Sequence, residues 1–89
     1  MEPDDVRAES RKWIEYLVRN DLPDDDVELD WTEVAASHEL GMRQKGVKIR
    51  SSVRITDEEL QSCIADGALK NRISRRILAW VLEVDGLLD

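Results

Sequence analysis

Between Val47 and Ile55 the chain alternates. Val47, Ile49, Val53 and Ile55 occupy odd positions with Ser51, and Lys48, Arg50, Ser52 and Arg54 occupy the even ones. Extended backbone sends successive side chains to opposite faces, so this period of two predicts a half-buried strand over 47–55. The prediction constrains the whole fold, because a single strand leaves two rows of unpaired backbone groups and is not stable alone in water. Immediately downstream, Thr56 with Glu59 three residues later matches a capping box. It closes the strand and opens a helix whose Leu60, Cys63 and Ile64 point inward.

The rest of the chain reads as helical. "EPDDVRAESRKWIEYLVRND" places Val6, Trp13 and Leu17, with Ile14 and Val18, on one stripe. Pro3 suits a first helical position, and Asp4 and Asp5 sit where the helix dipole favours acids. Asn20 and Pro23 end this helix, and "LPDDDVEL" follows as a polar connection. "DWTEV" offers a second capping box, Asp30 with Glu33. It predicts a helix presenting Trp31, Val34, Ala35, His38 and Met42 and stopping at Gly41. A last helix runs from about Asn71 or Ser74 to Val84 and ends at Gly86, with Ile73, Ile77, Trp80, Val81 and Val84 as its core stripe.

The expected fold is therefore mainly α with a minor β element (α+β), in the order helix-helix-strand-helix-helix. One domain is expected over 1–89, with an acidic N-terminal helix and loop in 1–30 and a charge-balanced part in 31–89. Leu78 and Leu82 fall on the far side of the last helix and need a second cover, either the N-terminal helix or another chain. With a strand that lacks a partner, they predict a homodimer in which the strand pairs across the two chains. Leu78, Leu82, Val53 and Ile55 would then line its interface.

The charge is segregated. The 89 residues carry a formal net charge of −7, from 20 acids and 13 bases. Residues 1–30 hold eleven acids and four bases, whereas residues 31–89 hold nine of each. Such asymmetry concerns partners rather than fold. One cysteine cannot form an intramolecular disulfide, which fits a reducing compartment. The N-terminus has no signal-peptide pattern, and no window approaches the ~18 apolar residues of a membrane span. A cytoplasmic protein with no membrane partner is expected.

Catalytic chemistry has little to draw on. His38 is the single histidine and Cys63 the single cysteine. His38 is expected on the apolar side of its helix and Cys63 at core spacing, so a dyad between them would lack an oxyanion hole and an orienting group. Asp26, Glu28 and Asp30 are spaced as a calcium loop begins. The sixth position, however, is Trp31 rather than glycine and the twelfth is Ser37 rather than glutamate. "WTEVAASHELGM" has the small-residue character of the first half of a helix-turn-helix, but "RQKGVKIR" after it is too short and strand-like to be a recognition helix. No enzyme, metal or cofactor is expected. The leading expectation is a small regulatory or inhibitory protein that binds another protein. Asp24, Asp25, Asp26, Glu28 and Asp30 would dock a basic partner or a nucleic-acid-handling enzyme.

The succession of strand, capped helix, short break and base-rich helix over 47–84 resembles the ribbon-helix-helix family of DNA-binding regulators. That resemblance implies two strands paired across a dimer in the major groove. Lys48, Arg50, Ser52 and Arg54 would then lie on the face toward the bases, and Asn71, Ser74 and Arg75 near phosphate. A dimeric DNA-binding transcriptional regulator is thus the alternative expectation.

Overall fold

The computed structural model describes residues 3–22 and 26–88. Helix α1 spans Pro3–Asp21, strands β1, β2 and β3 span Val27–Val34, Ser37–Gln44 and Val47–Thr56, and helices α2 and α3 span Asp57–Ser62 and Gly67–Asp85. The strands form an antiparallel meander with β2 in the centre. The three helices all pack on one side of it.

This order corrects the expected one in two places. The second expected helix is instead the β1–β2 hairpin. Val27, Leu29 and Trp31 alternate toward the helices along β1, and His38, Leu40, Met42 and Gln44 do so along β2, all four of the latter being buried. The chain is also richer in strand than a single ribbon, and β3 is not alone. It pairs with β2 from Ser37↔Thr56 to Gln44↔Val47. Its backbone therefore finds a partner within the chain, and no pairing across a dimer is required. Val53 and Ile55, expected at a dimer interface, point into the chain's own core, 6% and 0% exposed.

Both hairpins turn in two residues. Lys45 (φ 53°) and Gly46 (φ 80°) are both left-handed, the arrangement of a type I′ turn, whose twist matches that of the flanking strands. The first hairpin turns through Ala35 and Ala36, and Ala35 sits at φ 55°. There its Cβ crowds the carbonyl at a cost of about 1 kcal/mol. Between the pairs Gly41↔Ser52 and Arg43↔Lys48 the register shifts. Ile49, Arg50 and Ser51 thus lie opposite the single residue Met42, and β3 bulges.

The core lies between the sheet and the helices. Ile14 and Val18 of α1, Leu40 and Met42 of β2, Leu60 of α2, and Ile73, Ile77, Trp80, Val81 and Val84 of α3 are all buried. The capping box at the start of α2 forms as its sequence predicts, with Thr56 Oγ1 accepting from the Glu59 N–H and Glu59 accepting from the Thr56 N–H. Helix α3 begins a turn earlier than its apolar stripe suggests. The Asp66 carboxylate accepts from the N–H groups of Ala68 and Leu69 and so nucleates the extra turn. Arg76 then staples α3 to its neighbours, donating a fork to Glu59 at 2.9 Å and 2.9 Å and one bond to the Arg54 carbonyl at 3.2 Å.

Replacing Ala35 with glycine removes the Cβ conflict at the first turn. Ala35→Gly should raise the unfolding free energy by about 0.5–1 kcal/mol in urea titration, whereas Gly46→Ala should lower it by a similar amount.

Candidate functional site

Two surfaces gather chemistry-bearing side chains. The first is the sheet face turned away from the helices. Its rows run across the strands as Glu28–Arg43–Lys48, Asp30–Gly41–Ser52 and Thr32–Glu39–Arg54. Gly41 has no side chain, so the middle row dips between Asp30, Thr32, Glu39, Lys48 and Ser52. On this face Glu28 and Asp30 stand on β1 and most of the bases on β3, with β2 between them.

That placement decides where the ribbon's bases point. They lie on the open face, and some of them are matched there. Glu39 on β2 accepts from Ser52 Oγ at 3.0 Å and from Arg54 at 3.3 Å. Ser52 first, then Arg54, hold its carboxyl below the ordinary range, and Lys48 adds to the effect. Asp30 meets Arg43 at 3.4 Å. Arg50, in the bulge, is exposed, and its side chain makes no hydrogen bond or ion pair with another described residue. Asp26 accepts from Gln44 at 3.2 Å, and Glu28 is exposed. Asp24 and Asp25 lie outside the described residues. Glu28 and Asp30 thus share one side of β1, a consequence of strand alternation, whereas Asp26 lies in the turn just before the strand.

Arg75 does not join this surface. It is exposed on α3, on the other layer of the molecule from Lys48, Arg50, Ser52 and Arg54. The ribbon-helix-helix arrangement, with the second helix set beside a reading strand, is therefore not what this fold builds. Leu78 and Leu82 are exposed on α3, and α1 does not cover them.

The second surface is a cleft between α1 and the β1–β2 turn, lined by Asp4, Arg7, Glu33, His38 and Asp57 and continuing along Arg11, Lys12, Glu15 and Trp31. His38 is 4% exposed and belongs to β2 rather than to a helix. Its Nε2–H donates to Asp57 Oδ1 at 2.9 Å, and its Nδ1 accepts from Arg11 Nη2. Arg7 donates a fork to Asp57 at 2.6 Å and 3.0 Å, and Gln61 adds a bond at 2.6 Å. Arg7 first, then the His38 N–H, with help from Gln61, hold the Asp57 carboxyl far below the usual carboxylate range. Arg11 also reaches Glu33 at 3.3 Å and lies over the Trp31 ring, 5.0 Å from its centroid. Trp31 Nε1–H donates to Glu15 at 2.9 Å.

Both ring nitrogens of His38 are thus committed, which leaves no lone pair for a metal, a proton shuttle or a nucleophile. Cys63 is buried elsewhere, its sulfur 3.3 Å from Ser10 Oγ. The two residues form no dyad. No cluster of three metal-ligating side chains occurs among the described residues, and none of their helices is long and apolar enough to cross a membrane. No motif in the sequence marks the group around Asp57, since Arg7 and Asp57 are 50 positions apart. The cleft is a brace holding α1, the hairpin and α2 together. No protein-family model, curated protein or solved structure matches the chain.

Removing the imidazole breaks that brace at its buried centre. His38→Ala should cost about 2 kcal/mol in denaturant titration, through two lost hydrogen bonds and a small void. The acid limb of the stability curve has a second source. The Arg76 fork, with the Thr56 N–H, holds the Glu59 carboxyl down at about 2 against an ordinary 4.5. Its contribution is complete above pH 4.5 and fades as the pH falls through 2. Glu59→Gln should therefore flatten the loss of stability across that window, as read by thermal melts at successive pH values.

Proposed function

We propose that this protein is a non-enzymatic binding module whose working surface is the open face of its sheet. On this reading it regulates or inhibits a protein partner. One observation carries the proposal: the face has no helix over it, and its charges are sorted by strand, with acids on β1 and most bases on β3. A polyanion would meet Glu28, Asp30 and Glu39 on that face and be repelled. A folded protein with its own sorted charges can match both halves, and electrostatic complementarity of this kind sets register and speeds encounter. The acidic side is the better dock for a basic segment, because Glu28 on β1 and Asp26 in the turn before it hold no base of this chain in an ion pair among the described residues.

The test is capture from nuclease-treated lysate of the source cells, with the wild type beside Asp26→Lys/Glu28→Lys. These positions lie outside the core, so circular dichroism should be unchanged. The wild type should retain a protein that the double variant loses by tenfold or more, and added salt should weaken the retention. A partner held equally by both proteins would refute the acidic dock. Tight binding to duplex DNA that Lys48→Ala/Arg50→Ala abolishes would refute the protein reading and favour nucleic acid instead.

A further inference from the structure

The outward side of α3 carries a second pattern. Asn71, Arg75, Leu78, Leu82 and Asp85 recur at spacings of four, three, four and three. This repeat keeps side chains on one seam facing another helix. The inward stripe of α3 is spent on the core, whereas Leu78 and Leu82 are 45% and 67% exposed. Arg75 and Asp85 flank the leucines, one toward each end of the helix. Both are exposed, and neither side chain makes a hydrogen bond or ion pair with another described residue.

We propose that this seam binds the same seam of a second copy, antiparallel, about a two-fold axis through position 80. The leucine pair and the charged pair share that midpoint. Leu78 of each protomer then packs on Leu82 of its partner, and Arg75 of each meets Asp85 of its partner at both ends. A parallel pairing would set arginine against arginine and aspartate against aspartate. The antiparallel one turns the same four charges into two attractions, which selects the orientation. Ser74 and Ala79, small residues beside the leucines, let the two backbones approach. The contact is short, well below the roughly 800 Å² per partner of a standard interface, so the dimer is weak and reversible. Because α3 lies beneath the sheet, pairing leaves both open sheet faces free, and the inference stands apart from the function proposed above.

Sedimentation equilibrium of the whole chain from about 10 µM to 1 mM tests it, a range in which a weak contact is populated. The wild type should shift from monomer toward dimer, and Leu78→Glu/Leu82→Glu should remain monomeric with an unchanged circular dichroism spectrum. Arg75→Glu alone and Asp85→Arg alone should each weaken association by about tenfold, since each reverses two contacts per dimer. An equimolar mixture of those two single variants should recover it, because each then supplies the charge the other needs. A wild type that stays monomeric at the highest concentration would overturn the proposal. So would a dimer indifferent to charge reversal, or a mixture that fails to recover.

Discussion

Three elements of the fold meet at one carboxylate. Asp57 opens α2, accepts a fork from Arg7 of α1, accepts the ring N–H of His38 from the central strand, and donates its own backbone N–H to the Ala36 carbonyl at the tip of the first hairpin at 2.8 Å. Hydrophobic burial supplies most of the driving force, but it has no direction. The Asp57 node supplies direction: it sets how far along the sheet α1 lies and on which side the chain re-enters after β3. With α1 and α2 fixed there and α3 stapled by Arg76, all the helices end on one side of the meander. The other side stays bare.

The parts of this fold legible in the sequence are those whose signals are local. Helix α1 follows from its apolar stripe and first-turn acids, β3 from its alternation, and α2 from Thr56 and Glu59. The hairpin of β1 and β2 was hidden for a physical reason. Its turn is Ala35–Ala36, two good helix formers with no glycine, asparagine or proline to mark a reversal. Asp30 and Glu33 happen to stand at capping-box spacing, although in the fold they lie on opposite sides of one strand. A contrary signal was present in Val27, Leu29 and Trp31, which alternate as clearly as β3 does. Acids between them made the stretch resemble a solvated loop.

The site was legible only in part. That Glu28 and Asp30 share a surface could be read once the segment is known to be extended, since alternation places them together. Their opposition to the bases could not be read, because it depends on β2 lying between β1 and β3. The pairing of Glu39 with Ser52 and Arg54 likewise exists only in the register of the sheet. The brace around His38 joins residues drawn from three elements, and no short motif encodes such a set. Charge composition therefore pointed to a partner, while topology decided which charges that partner can reach.

The bulge in β3 has a consequence for the life of the protein in a crowded solution. β3 borders the sheet, so one of its rows of backbone donors and acceptors faces outward, the kind of template on which misfolded chains stack. Three residues set against one at Met42 kink that border and interrupt its ladder. The straight run beyond it, Ser52–Thr56, is short and carries a bound arginine. A stray segment finds no flat rail along which to zip on the β3 border, so that edge of the sheet offers a poor start for fibre growth.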